Sequence, residues 1–345
     1  MWDRFLRACR REPTDVTPVW FMRQAGRYMA EYRTLREKHT LLEICKHPEL
    51  AVEVTLQPLR LGMDAAILFA DILLLLEPMG ASFEFAKGEG PVIHEPVRDR
   101  AAIDRLRVFD AEEGLPHVLE AVRLLRKELD QKTPLIGFAG APFTIASYLI
   151  EGGKSSDYKL TKQMMWGEPA TFSALMGKIA EVVRRYLRAQ ITAGAQAVQL
   201  FDSWVGSLSP ADYREHVQLH VRTILQDVEQ AGVPVIHFGT GTATLLEAQR
   251  EAGGTVIGVD WRSPLGEAWK RIGHDRAVQG NLDPLLLCAP RDVAARHARA
   301  VIAEAGGRVG HIFNLGHGIV PETPVDHVKA MVDLVHETPR PASPA

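Results

Sequence analysis

The sequence predicts an α/β fold: a single-domain (β/α)8 TIM barrel carrying an inserted β-hairpin. Three observations predict it. Short apolar runs alternate with longer amphipathic ones along most of the chain, the pattern of repeated βα units. The short runs number eight, the strand count of a closed barrel. No internal repeat or interdomain linker divides the 345 residues, a length that a barrel fills as one domain.

The candidate strands are Pro18–Met22, Ala65–Phe69, Pro134–Ala139, Ala197–Phe201, Val233–Phe238, Thr255–Val259, Ala277–Gly280 and Gly310–Asn314. The first and seventh are short. Between them, Glu112–Leu129 places Leu115, Val118, Leu119, Val122 and Leu125 near helical spacing. Phe172–Ile191 and Asp212–Gln230 read the same way. Ser209-Pro210 and Thr323-Pro324 each resemble an N-cap followed by proline at the first helical position. Ser82–Val97 alternates apolar and polar residues around Lys87-Gly88-Glu89-Gly90 and reads as the hairpin. The barrel is expected over residues 1–337, with 338–345, rich in Pro and Ala, as a frayed tail.

Composition narrows the function. The chain is 46% apolar and 24% charged, as an ordinary globular protein is. A formal net charge of −3 supplies no global basic field, so nucleic acid is not an expected partner and anion binding must come from a local cluster. Cys9, Cys45 and Cys288 are far apart, with no CxxC or Cys/His ligand spacing, which argues against structural zinc and suits a reducing compartment. Met1–Pro18 has no apolar h-region. The greasiest stretch, Ala65–Leu76, is interrupted by Asp71 and is too short to span a bilayer. A cytoplasmic protein without membrane contact is expected.

Barrel enzymes carry their chemistry just past the C-terminal ends of the strands. The residues there are Arg23, Gln24, Gly26 and Arg27; Asp71; Pro142, Thr144 and Tyr148; Asp202, Ser203 and Trp204; His237; Asp260; Asn281; and Asn314, Gly316 and His317. Each has a plain reading beside a functional one. An Arg pair at i and i+4 is commonly a solvated helix face, but Arg23 and Arg27 flank Gln-Ala-Gly, where Gly26 permits a sharp turn or close approach to a ligand. Asp71 lies inside Phe-Ala-Asp-Ile-Leu and is either a helix N-cap or a site carboxylate. The hydroxyls of Tyr148 and Ser203 can serve backbone or ligand. His317, between glycines, is either presented by a tight loop or held by a structural hydrogen bond. Gly239-Thr240-Gly241-Thr242 lacks the patterns of nucleotide-binding loops. His237 and Asp260 lack a third metal ligand at useful spacing, which favours a structural role.

The motifs go further than the spacing. Pro18 to Tyr28 reads Pro-Val-Trp-Phe-Met-Arg-Gln-Ala-Gly-Arg-Tyr and resembles the N-terminal signature of the uroporphyrinogen decarboxylase family. Phe69–Leu73, Ala141–Thr144 with Tyr148 and Glu151–Gly153, Phe201–Trp204, Gln279–Pro284 and Asn314–Gly318 resemble that family in the expected order, from about Arg4 to Val335. The resemblance implies a distorted barrel, a homodimer, and no metal or cofactor. It implies removal of the four acetate carboxylates of uroporphyrinogen III, giving coproporphyrinogen III and carbon dioxide in haem biosynthesis. Carried over, it places Arg23 and Arg27 on substrate carboxylates, with Gln24, Ala25 and Gly26 in the same binding block. Asp71 then faces the pyrrole N–H groups, and Tyr148, Ser203 and His317 line the pocket. Asp71, Arg23 and Arg27 form the catalytic set, and Arg36 is a further carboxylate contact. An arginine is a poor proton donor because its pKa exceeds about 12, so Arg27 either works with a substrate carboxyl or water or only positions the leaving carboxylate. One departure is visible: family members often have Pro where this chain has Ala30, which affects only loop rigidity. Two rival functions remain at this stage. A zinc-dependent corrinoid methyltransferase of the same superfamily needs a His/Cys set that is not evident here. A non-catalytic tetrapyrrole-binding protein has no need of Asp71.

Overall fold

The computed structural model describes residues 3–86, 90–130 and 132–339. Its strands are β1 (Ala66–Ile67), β2 (Phe83–Ala86), β3 (Gly90–Ile93), β4 (Leu135–Gly140), β5 (Ala197–Asp202), β6 (Val235–Gly239), β7 (Val256–Gly258), β8 (Ala277–Gln279) and β9 (His311–Ile312). Seven pair in parallel in the order β1-β4-β5-β6-β7-β8-β9. The eighth position belongs to Pro18–Met22, which is reduced to a single parallel bridge, Val19 to Phe313. On its other side Asp64 closes the ring. The Asp64 N–H donates to the Val19 carbonyl at 2.8 Å, and its carboxylate accepts the Val19 N–H at 2.8 Å. Arg4 donates to the same carboxylate at 3.1 Å, and His336 Nε2 lies 2.7 Å from it. Side-chain chemistry thus completes the barrel where strand pairing is thin.

The strands are short apolar runs because they are covered on both faces; every residue of β4 is buried. Phe138, Phe201 and Phe238 meet edge to face at 5.5 and 6.0 Å. A Cβ at Gly258 would fall 2.7 Å from the Phe238 ring, so that position needs glycine. A polar thread crosses the same wall. Trp20 Nε1 donates to Gln279 Oε1 at 3.0 Å, Gln279 Nε2 to Gln199 Oε1 at 3.1 Å, and Gln199 Nε2 to Met22 Sδ at 3.6 Å. These buried polar groups partner one another, which removes the cost of burying them alone.

The expected helices are present with changed boundaries. Glu112–Leu129 splits into Ala111–Gly114 and Pro116–Glu128, because Pro116 starts a new helix rather than continuing one. Asp212–Gln230 becomes Pro210–His216 and Gln218–Glu229. Phe172–Ile191 extends to Pro169–Ala193. Ser209 caps as expected, accepting from the Asp212 N–H. Thr323 does not: the helix Val325–Glu337 has Pro324 at its cap position, and Thr323 Oγ1 turns to Cys288 Sγ at 3.6 Å. β2 and β3 form the inserted hairpin, docked by an antiparallel bridge from Val92 to Gly153. Its turn at Lys87–Glu89, and all but the first two residues of the expected tail, lie outside the described residues. No helix among the described residues is long and apolar enough to cross a membrane.

The departure at Ala30 falls at the first residue of the helix Ala30–Lys38. Met29 before it is extended, at φ −89° and ψ 133°. That is the conformation a following proline requires, and a first helical residue needs no intrahelical N–H donor. Ala30→Pro is therefore expected to stabilise the fold by about 0.4–1 kcal/mol through the unfolded state. A thermal melt checks this, and a lowered Tm would contradict it.

Candidate active site

Arg23 stands on a turn rather than on a helix face. Met22 before it is held at both ends, its N–H by Asn314 Oδ1 at 3.1 Å and its carbonyl by the Ile319 N–H at 2.9 Å. The Gln24 N–H closes the turn on the Phe21 carbonyl at 2.9 Å. Within it Arg23 adopts φ +59°, a left-handed conformation that costs a side-chain-bearing residue roughly 1–2 kcal/mol. Gly26 was the expected conformational exception, but its φ is not positive, and a Cβ there would meet nothing nearer than 3.7 Å. The strain sits on the arginine that faces the mouth.

Gln24 is fully buried and bonded at both ends. Its Oε1 accepts the Phe21 N–H at 3.2 Å and its Nε2 donates to the Ala65 carbonyl at 3.0 Å. The side chain grouped with the binding residues therefore fixes the turn instead of reaching a ligand. Ala25 is buried, Gly26 is half-buried and Arg27 is exposed on the same loop. The Arg23 and Arg27 guanidiniums make no hydrogen bond or ion pair among the described residues, so both remain available to anions. Arg36 is exposed and already donates to the His39 carbonyl at 2.9 Å.

Asp71 lies beyond β1 and is half-buried. Its Oδ1 accepts the Leu73 N–H at 2.8 Å, which closes a local turn; Asp71 is not a helix N-cap, because the next helix, Leu76–Met79, starts after Leu75. Its Oδ2 has no hydrogen-bond partner among the described residues. Burial raises the carboxyl above its ordinary value, against the Leu73 N–H and the charge of Arg23, which lower it. Tyr148, on the helix Pro142–Glu151 after β4, stacks on Trp204 with ring centroids 3.9 Å apart. Burial, and then the Asp71 charge, raise its phenol. Ser203 is half-buried between the end of β5 and Trp204. Thr144 Oγ1 accepts the Trp204 N–H at 3.3 Å and fixes that loop.

His317 is half-buried on the loop after β9, between Gly316, where backbone leaves no room for a Cβ, and Gly318, against which the Arg23 side chain packs. A Cβ at Gly318 would overlap Arg23, falling 2.6 Å from Cγ. One at Gly316 would overlap the Trp261 backbone N and lie 2.9 Å from the Asp260 carbonyl carbon. The loop is thus wedged between Arg23 and Trp261, and the Trp261 ring meets His317 edge-on at 6.4 Å. Burial, with Arg23 and then Arg262, lowers His317 to about 4, so the imidazole is neutral at pH 7. Arg23 is the group common to these shifts: its charge reaches Asp71, Tyr148 and His317.

These directions fix a pH dependence. Asp71 loses its charge as pH falls through a raised pKa, whereas His317 has lost its proton well below 6.5. The expected kcat/KM profile has an acid limb that Asp71→Asn removes, and no limb from His317 near 6.5. A limb near 6.5 that disappears in His317→Gln would contradict it.

His237 faces Asp202 at 4.0 Å rather than Asp260, and both are fully buried. Asp260 instead organises the rim. Its carboxylate accepts from the Gly241 N–H, from the Arg262 N–H at 3.0 Å and from Arg262 Nη1 at 2.7 Å. The Gly239–Thr242 loop therefore directs an N–H at a protein carboxylate. Among the described residues no group of three or more His, Cys, Asp or Glu side chains could hold a metal ion. Sequence reasoning overlooked Trp261 and Arg262, although extending the strand-end rule two residues past Asp260 reaches them.

A family model described as uroporphyrinogen decarboxylase (URO-D) matches residues 2–338. A uroporphyrinogen decarboxylase of Sorangium cellulosum is 82% identical over 340 residues, covering 99% of this chain and 97% of that one. One from Carboxydothermus hydrogenoformans is 58% identical over 338 residues, with 98% and 97% covered. Among solved structures, a methyltransferase from Methanosarcina mazei superposes with a TM-score of 0.81 at 23% identity, with 97% of each chain covered. A B12-independent methionine synthase from Shewanella sp. W3-18-1 superposes with a TM-score of 0.56 at 11% identity, with 84% and 87% covered. At those identities the structural neighbours speak for the barrel alone. The family model and the high-identity relatives agree: the chain belongs to the uroporphyrinogen decarboxylase family.

Proposed function

We propose that the barrel mouth decarboxylates the four acetate side chains of uroporphyrinogen III, with Asp71 as the charge-stabilising group and Arg23 and Arg27 as carboxylate anchors. The observation that carries these roles is the pairing of an Asp71 oxygen free of protein partners with an unpaired Arg23 held in a strained turn beside it. An octacarboxylate needs guanidiniums, which stay charged and grip carboxylates in bidentate fashion. Losing carbon dioxide from a pyrrole acetate requires an electron sink. Protonation of the adjacent pyrrole α-carbon makes one: the C–C bond electrons flow into the ring cation as carbon dioxide leaves. A proton then reaches the exocyclic carbon, and the first is given back. One proton is consumed per carbon dioxide, and a carboxymethyl becomes a methyl.

Asp71 hydrogen-bonds the pyrrole N–H groups and stabilises the cation as it forms, a fixed charge that needs no reorganisation. Tyr148, Ser203 and the neutral His317 line the cavity and meet side-chain carboxylates or the ring. Gln24, Ala25 and Gly26 set the turn that presents the two arginines. This chemistry uses no metal or cofactor. The protein acts as a cytoplasmic homodimer, without nucleic-acid or membrane partners; sedimentation tests the dimer against the 38.2 kDa chain mass. The test of function is anaerobic incubation of purified protein with uroporphyrinogen III, followed by oxidation and separation of porphyrins by carboxylate number. Stepwise passage from eight carboxylates to four without additives is expected. A folded sample that removes none, or that contains stoichiometric zinc, would overturn the reading in favour of its rivals.

A further inference from the structure

Arg262 forms a second cationic wall of the mouth. Its guanidinium lies 3.9 Å above the Trp261 ring, while Nη1 is tied to Asp260 at 2.7 Å. Asp260 is 1% exposed, whereas the Arg262 side chain is 49% exposed. Asn281 Nδ2 donates to the Asp260 carbonyl at 2.9 Å and to the Ser263 carbonyl at 2.6 Å, pinning the segment from both sides. The guanidinium is therefore oriented from below and on one face, with its remaining N–H donors turned to solvent. A stacked, pre-aimed arginine loses less freedom on gripping a planar carboxylate than a free side chain does.

Its place in the mouth follows from the Gly316–Gly318 wedge. Arg23 packs on one side of that loop, and Trp261, which carries Arg262, packs on the other. Two guanidiniums thus flank His317, and both charges reach it. Only Arg23 is a cation that reaches Asp71.

Resting on the decarboxylase reading, we propose that Arg262 is a substrate-binding residue that holds a propionate carboxylate of the tetrapyrrole, one that persists through every round of decarboxylation. An anchor that serves all four rounds has to grip a side chain that no round removes, and only the propionates meet that condition.

The test uses coproporphyrinogen III, which keeps only propionates and undergoes no acetate loss. Anaerobic titration compares wild type with Arg262→Gln, which keeps a donor for Asp260 but loses the charge, and with Arg262→Lys, which keeps the charge. Arg262→Gln is expected to weaken coproporphyrinogen binding about five- to tenfold and to raise KM for uroporphyrinogen by a similar factor, with kcat within about twofold. It also flattens the dependence of KM on ionic strength, which loss of packing alone would leave in place. Arg262→Lys recovers part of the affinity. Unchanged coproporphyrinogen affinity in a folded Arg262→Gln protein would overturn the proposal, whether or not the uroporphyrinogen KM rises, since a rise confined to uroporphyrinogen marks an acetate contact. A wild type that binds coproporphyrinogen but releases no carbon dioxide from uroporphyrinogen would overturn the catalytic reading and leave the Arg262 assignment to the binding data.

Discussion

Asp71→Asn is expected to lower kcat at least about tenfold while the protein stays folded and still binds substrate. Removing one preorganised group from a site of developing charge typically costs about 3–4 kcal/mol, and that sets the upper range of the loss. The substitution is clean for a structural reason. The Leu73 N–H reaches Oδ1 at 2.8 Å, and an asparagine carbonyl oxygen can accept the same bond, so the turn survives. What changes is Oδ2, the oxygen without a protein partner, which becomes an uncharged amide. Burial penalises the Asp71 charge in the free protein, as the raised carboxyl shows. Removing that charge is therefore expected to leave Tm unchanged or raised. Lower kcat with unimpaired stability separates function from folding, and near-wild-type turnover would refute the role given to Asp71.

Arg23→Gly separates the same two quantities at the cation whose charge reaches Asp71. Glycine occupies φ +59° without the steric cost that arginine bears there. The turn is held by its backbone bonds and by Gln24, none of which needs the Arg23 side chain. Stability is expected to hold or rise. The guanidinium is lost, however, and a charge-assisted carboxylate bond of about 1.5–3 kcal/mol goes with it. KM for uroporphyrinogen is expected to rise about tenfold to a hundredfold. Steady-state kinetics alongside a thermal melt checks both. A fallen Tm with unchanged KM would make Arg23 a structural residue. Strain retained on a charged residue at a mouth is what a functional constraint looks like.

Much of the barrel was legible in the sequence because buried parallel strands announce themselves as short apolar runs, and β4 to β8 fall within or nearly within the runs marked for them. Pro18–Met22 looks like a strand by the same rule, yet pairs at one residue. Its partner on one side is the Asp64 carboxylate, and no apolar periodicity encodes a side chain standing in for a strand. Proline signals were right at Ser209-Pro210 and wrong at Thr323-Pro324, where the hydroxyl found Cys288 instead of the helix end. At the candidate site, strand-end position brought Arg23, Asp71, Tyr148 and His317 to notice, each with a plain reading beside the functional one, and the family resemblance supplied their expected roles. Adjacency along the motif does not reveal that the Gln24 side chain is engaged within the turn. Conformation was legible in neither place that mattered: the left-handed residue is an arginine, and Gly316 and Gly318 matter for what packs against them. Arg262 was missed because its meaning comes from Trp261 beneath it and Asp260 beside it.

The most direct measurement is a crystal structure of the protein with coproporphyrinogen III bound anaerobically. The expected complex has the pyrrole N–H groups within hydrogen-bond distance of Asp71 Oδ2, about 2.7–3.2 Å, and propionates on the guanidiniums of the mouth. A macrocycle bound elsewhere, or one whose centre turns away from Asp71, would contradict the charge-stabilising role on which the proposed mechanism stands.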